Sequence, residues 1–286
     1  IESNNEFKII GLIGKENDLG KKILGYSVIG LDSDLGKLKL EARNAVIAVG
    51  LSPLILPVDD KFCYEENTFH EACSSNYIGA IIFVHLYGIE CITEKQYNFI
   101  ERNKNIYTIA DCAESFDAFK NNKHLGLFCD AFTFSFFANK IITTGEGGFL
   151  GFKKVDFANK AKLIRDHGMS KEYKYWHIEY GTNTRMTALQ ASLGLSQLKK
   201  INYMIETRRE LLYQYIKLLK PSNIFKVWEE EKYLSIWFVN LTLKENYNGS
   251  LLFDLAEFLK EKNIETRPCF HNLSEMPIYS EYASFC

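Results

Sequence analysis

The chain has 286 residues, of which 47% are hydrophobic and 24% charged, the profile of a folded protein with a sizeable core and not of a disordered one. Lys and Arg number 34 against 36 Asp and Glu, a formal net charge of −2, so charge gives no case for a nucleic acid or an anionic membrane as partner. No apolar run approaches the ~20 residues that a membrane-spanning helix needs.

The opening Ile1-Glu2-Ser3-Asn4-Asn5-Glu6 has neither a basic nor an apolar segment, so no signal peptide is expected. Residues 7–13 read as a strand. The elements after it are short and turn-rich, with Gly20, Gly25, Gly30 and Gly36 between small apolar runs, which suggests a separate module. Residues 79–84 form a continuously apolar strand that leads into His85. A helix follows over 94–103, where Tyr97 and Ile100 share a face. Residues 106–110 make another buried strand ending at Asp111, 131–137 a third and 148–152 a fourth. This alternation predicts an α/β fold with a mostly parallel sheet, covered by helices on both faces. One long helix is expected from Thr187, where Thr187 and Gln190 form a capping-box pattern and Leu189, Leu193 and Leu198 supply an apolar stripe. It should run to Lys220 and stop at Pro221-Ser222. A smaller α+β part closes the chain: strand-like 235–243, helix 251–261 and strand-like 264–266.

The seven cysteines are dispersed with no C-x-x-C pair, and the six histidines contain no H-E-x-x-H. They read as reduced thiols in a cytoplasmic protein without a metal site. In an open α/β sheet, ligands sit at the carboxyl ends of the strands. Three strands here end in notable groups: His85, Asp111, and the segment from Ser135 to Lys140. Lysine and carboxylate together suit a Schiff-base cofactor, because the amine bonds the aldehyde and the acid keeps a ring nitrogen protonated. Taken alone, Lys140 reads more readily as a solvated loop lysine. Gly145-Glu146-Gly147-Gly148 lacks the Gly-Lys-Ser/Thr ending of a phosphate-binding loop and reads as a tight turn.

Wider stretches of text narrow these alternatives. Asp111-Cys112-Ala113-Glu114-Ser115, Phe134-Ser135-Phe136-Phe137-Ala138-Asn139-Lys140, Thr144-Gly145-Glu146-Gly147-Gly148, Arg165-Asp166-His167-Gly168 and Gly181-Thr182-Asn183-Thr184-Arg185 occur in order. Together with Ile264-Glu265-Thr266-Arg267-Pro268 they resemble the DegT/DnrJ/EryC1/StrS family of pyridoxal-phosphate sugar aminotransferases, over roughly residues 44–286. The lysine segment is most similar to the GDP-perosamine synthase branch, which aminates C4 of a 4-keto-6-deoxyhexose. The resemblance implies an aspartate-aminotransferase-like fold (type I of the pyridoxal-phosphate folds). It implies transamination of a nucleotide-linked 4-keto-6-deoxy sugar with L-glutamate as donor, in surface-polysaccharide biosynthesis. It also implies a homodimer with shared active sites. The cofactor would be pyridoxal 5'-phosphate. Lys140 would be the Schiff-base lysine and the proton-moving base, Asp111 the partner of the pyridinium nitrogen, and Glu114 a neighbour of the ring hydroxyl. Ser135 would bind the phosphate, and Asn183 would reach the phosphate in the neighbouring subunit. Lys140 speaks against the related dehydratases, in which histidine replaces that lysine. His85 lies in a family motif with no chemistry assigned to it, and Trp176 and His177 stand as substrate contacts or packing.

The opening departs from that pattern. The Ser-Gly-Thr phosphate loop of the family is not found, and residues 1–50 resemble the N-terminal, Rossmann-like part of sugar O-acyltransferase/N-acetyltransferase proteins. The expected organisation is therefore a partial acyltransferase-type module over 1–43, a cofactor-binding large domain over 44–200 and a small C-terminal domain over 201–286. On this reading the chain is chimeric or truncated, and the alternative to an active aminotransferase is a non-catalytic remnant.

Overall fold

The computed structural model describes residues 12–14, 22–23, 26–31, 53–59, 62–74, 78–103, 105–228, 233–244 and 249–282. The chain divides into two compact units, one of residues 56–270 and one that joins 1–55 with 271–286. In the second unit β1 (Leu12–Gly14), β2 (Lys22–Ile23) and β3 (Tyr26–Leu31) form a sheet in the order β1-β3-β2. β1 runs parallel to β3 and β2 antiparallel to it. Of the strand expected over 7–13, residues 7–11 lie outside the described residues. So does most of the text that carried the acyltransferase resemblance.

The unit of residues 56–270 holds the sheet expected at the centre of the chain. After α1 (Glu66–Ser74) come β4 (Ala80–Val84), α2 (Glu94–Arg102) and β5 (Tyr107–Asp111). A small hairpin of β6 (Phe119–Lys120) and β7 (Lys123–His124) precedes β8 (Ala131–Ser135) and β9 (Gly148–Phe152). The sheet order is β4-β5-β8-β9, with β4, β5 and β8 parallel and β9 antiparallel at the edge. Ile81 and Phe83 of β4 alternate inward and meet Phe69 of α1, Ile92, Ala110 and Cys112 in one buried cluster. α2 begins where Thr93 and Gln96 satisfy each other's backbone N–H groups, and the buried Gln96 also donates to the Tyr64 carbonyl at 2.7 Å. Asp130 pins β8 to β5 by taking both the N–H and the hydroxyl of Thr108, each at 2.9 Å.

Beyond the sheet lie α3 (Val155–Arg165), α4 (Ala188–Leu198), α5 (Ile201–Leu219), β10 (Phe225–Val227), β11 (Leu241–Leu243) and α6 (Ser250–Glu261). Four expectations need correction. The single helix from Thr187 is two, because the Lys200 N–H bonds the Gln197 carbonyl three residues back and the ladder restarts at Ile201. The capping box at Thr187 and Gln190 is present. The strand expected over 235–243 is confined to β11, since the N–H groups of Leu234 and Ser235 bond the Gly88 carbonyl and no neighbouring strand. Residues 264–266 pair with no strand among the described residues. Finally, the sheet is not covered on both faces along its whole width: Phe149 and Leu150 of the edge strand β9 stay about half exposed. Among the described residues no helix is long and apolar enough to cross a membrane.

Candidate active site

Because β4, β5 and β8 are parallel, the residues that follow them gather at one edge: His85 after β4, Asp111 at the end of β5, Ser135 at the end of β8. At this edge a small, partly open cleft lies between Glu114, Ser135, Lys140 and Trp237, with Phe116 and Ile141–Ile142 as apolar walls. The Lys140 ammonium lies 3.8 Å from Glu114 Oε1, and both side chains are almost fully enclosed. It also lies 3.7 Å from the ring centroid of Trp237.

Each of these groups is fixed by the chain around it. Glu114 Oε2 accepts the Tyr87 N–H at 2.8 Å, which Tyr87 presents from a left-handed conformation (φ 55°, ψ 20°). Tyr87 is held in turn by edge contacts to Phe62 and Trp228 and by stacking on Phe270, and its hydroxyl accepts the Phe270 N–H at 2.7 Å. Burial pushes that phenol above its ordinary pKa, so it remains protonated. Lys140 sits in a loop closed by Phe136 N–H to the Gly147 carbonyl and Thr144 N–H to the Phe136 carbonyl, both 2.9 Å. Gly147 closes it at φ 142°, where a Cβ would meet Thr144 Oγ1 at 2.6 Å, so the tight-turn role expected for this glycine run is what the loop uses. α4 clamps the same loop: the Gln197 amide takes the Thr143 N–H at 3.1 Å and donates to the Thr143 carbonyl at 2.8 Å.

Asp111 stands behind the cleft and does not line it. Its Oδ1 accepts the Ala113 N–H at 3.0 Å and the Thr133 hydroxyl at 3.3 Å, an arrangement that the β5–β8 register supplies by setting Asp111 opposite Thr133. Ser135 lines the cleft and takes the Phe137 N–H at 3.3 Å. Asn183 is not brought to the cleft. It is exposed and pairs through its backbone with Asp166. His85 is buried within the core, with Nδ1 3.4 Å from the Cys91 sulfur and an Nε2 that makes no hydrogen bond. Burial, reinforced by His124, pushes its pKa down to about 3, so it is a neutral core residue and not a group of the cleft. Trp176 and His177 are exposed, and His177 Nδ1 pairs with the His167 carbonyl at 2.8 Å. The reading of the sequence missed Trp237, Tyr87 and Gln197. Trp237 stands 97 positions beyond Lys140 in a segment that looked like ordinary strand, and only tertiary structure joins the two.

Fold and site together define an α/β protein in which an enclosed lysine meets a carboxylate at the carboxyl edge of a mostly parallel sheet. The model of the DegT/DnrJ/EryC1/StrS aminotransferase family matches residues 41–285, and the chain belongs to that family. It is 33% identical over 240 residues to the GDP-perosamine synthase of Escherichia coli O157:H7, covering 83% of this chain and 64% of that protein. It is 32% identical over 250 residues to the GDP-perosamine synthase of Caulobacter vibrioides, covering 86% and 66%. The chain thus spans just under two thirds of the length of these relatives. Among solved structures, PseC of Helicobacter pylori, an aminotransferase involved in the biosynthesis of pseudoaminic acid, superposes with a TM-score of 0.73 at 23% identity, covering 83% of this chain and 64% of that one. The GDP-4-keto-6-deoxy-D-mannose-3-dehydratase of E. coli, solved with bound hydrated PLP, superposes at 0.70 and 23% identity, covering 83% and 66%. These likenesses establish the aspartate-aminotransferase type of fold.

Proposed function

We propose that this chain carries the catalytic lysine of a pyridoxal-phosphate-dependent sugar transaminase that moves an amino group from L-glutamate to C4 of a nucleotide-linked 4-keto-6-deoxy sugar. The observation that carries the reading is the enclosed Lys140–Glu114 pair at the carboxyl edge of the sheet. The perosamine-forming relatives support the sugar class.

The donor set fits the cofactor. A primary amine at Lys140 is present for its aldehyde, a hydroxyl at Ser135 for its phosphate and a carboxylate at Glu114 for its ring hydroxyl, while Asp111, which the family resemblance pairs with the ring nitrogen, is not among the residues that line the cleft. When bound, pyridoxal phosphate supplies an electron sink for the carbon that loses its proton. The residues of this chain do the rest. With the cofactor bound, Lys140 would hold its aldehyde carbon and, once released as a free amine, would carry the proton at Cα of the amino donor. Asp111, braced by Thr133, would be the carboxylate to keep a proton on the ring nitrogen. Phe116, Ile141, Ile142 and Trp237 exclude water from that proton transfer. Asn183, which stands away from its own cleft, serves the phosphate site of a second copy in a homodimer.

Borohydride reduction of the protein incubated with pyridoxal phosphate tests this reading. Peptide mapping should find the pyridoxyl group on Lys140, and Lys140→Arg should take up none at that peptide. A folded wild-type chain left unlabelled at Lys140 would establish the non-catalytic reading instead.

A further inference from the structure

Nothing so far explains why a tryptophan lies against the reactive amine. We propose that Trp237 is a positioning residue for Lys140: its indole face, together with the Glu114 carboxylate, holds the ε-ammonium at rest inside the cleft. This rests on the transaminase reading in taking Lys140 as the amine that binds the cofactor.

The geometry is that of a cation over an aromatic face, 3.7 Å from Nζ to the ring centroid where attraction extends to about 6 Å. Trp237 is itself buried and fixed at several points. Its Nε1–H donates to the Asn139 carbonyl at 3.0 Å, which ties the ring to the backbone immediately before Lys140. Its own carbonyl accepts Arg208 of α5 at 3.2 Å, and its ring stacks on Phe238 at 4.2 Å. Ring and amine are thereby held to one short piece of chain. The charged groups lining the cleft are Lys140 and Glu114. An aliphatic wall in place of the indole would exclude water but offer the ammonium nothing. The indole excludes water and also favours the charged form through its quadrupole. That attraction acts on the ammonium and vanishes for the neutral amine, so the ring holds the resting lysine in place and makes loss of its proton harder by the pKa difference tested below.

The test is the pKa of Lys140 in the cofactor-free protein, read by competitive labelling with acetic anhydride between pH 7 and 11 and peptide mass spectrometry. Trp237→Leu keeps an apolar wall and removes the quadrupole, so the Lys140 pKa should fall by about half a unit to one unit. Trp237→Phe keeps a weaker face without the Nε1–H and should show a smaller fall. A merely structural tryptophan gives the opposite sign, because loosening the cleft admits water and raises the pKa of a buried lysine. An unchanged or raised pKa in folded Trp237→Leu overturns the proposal. Should that variant fail to fold, an unchanged or raised pKa in Trp237→Phe does so. The measurement uses no cofactor. A wild-type chain that never takes the pyridoxyl label therefore sinks the transaminase reading and leaves this result standing on its own.

Discussion

At the level of single residues, the site owes its arrangement to groups that touch no ligand. His85 is the clearest case. It follows β4 directly, its carbonyl accepts the Ser115 hydroxyl at 2.6 Å, and Ser115 is the residue after Glu114. The buried imidazole makes protonation costly in the folded state, with a pKa of about 3 against an ordinary value of 6.5. Between those two values the unfolded chain binds the additional proton, so stability is fully present above pH 6.5 and declines as pH falls towards 3. The slope from this residue approaches ~1.4 kcal/mol per pH unit, or ~2–3 kcal/mol between pH 7 and pH 4.5. Urea unfolding at pH 7, 5.5 and 4.5 should show that His85→Gln, whatever its cost at pH 7, loses stability less steeply on acidification than wild type. Parallel slopes would show that His85 is protonated in the folded state. In the sequence this histidine was indistinguishable from a ligand-binding group, since a strand end positions both kinds alike. What separates them is the depth of burial, a property of the packed core. Lys140 and Ser135 were legible because the chain writes them next to a strand end, whereas Glu114 was named only through the family resemblance. Trp237 was not, because the attraction that makes it matter arises only once a distant segment docks.

That docking depends on whole elements. The segment from Tyr233 to Asn240, which carries Trp237, is held to the sheet by Leu234 and Ser235 N–H groups on the Gly88 carbonyl, at 2.9 and 3.2 Å. It is also held by the Ser235 hydroxyl on Asp117, which pairs with Arg209 of α5 as well. Gly88 makes the approach possible. Its φ is 79°, and a Cβ there would lie 1.8 Å from the Ser235 carbonyl oxygen. Gly88→Ala should therefore cost more than ~2 kcal/mol in urea unfolding, from backbone strain and the displaced segment together. Gly79→Ala, with open space around the added methyl, should stay within ~0.5 kcal/mol of wild type. Equal costs for the two would mean that the close approach at Gly88 does not secure the segment. The same contacts explain why the pattern of 235–243 misled: it carries the apolar residues of a strand, but its polar backbone is satisfied by a turn. Strands β4, β5, β8 and β9 and the capped helix at Thr187 were readable because their signals are local, a run of apolar residues or a Thr–Gln pair three positions apart. The break between α4 and α5 has no such signal, for Lys199 and Lys200 are ordinary helix residues.

For the molecule as a whole, exposed apolar surface gathers on α4. Leu189 of α4 is 85% exposed, and Leu193, Leu195 and Leu198 are each 46–61% exposed on a helix that otherwise clamps the Lys140 loop. Nearby in sequence, Asn183 is turned to solvent away from the cleft of its own chain. A homodimer in which each copy lends Asn183 to the other accounts for both, and it makes a prediction that a site built from one chain does not. Lys140→Ala and Asn183→Ala chains should each be poorly active. Mixed under conditions that allow subunit exchange, they form hybrids in which one site has Lys140 from the second chain and Asn183 from the first, while the other site lacks both. Random pairing of equal amounts puts half the dimers in that form and should restore about a quarter of wild-type sites. If Asn183 instead serves its own cleft, every site in the hybrid lacks one residue or the other and mixing restores nothing. Pyridoxyl labelling of Lys140 at limiting cofactor, together with amino transfer from L-glutamate to a GDP-linked 4-keto-6-deoxyhexose, reads the outcome. Activity of the mixture no greater than the average of the two parents would remove the shared site.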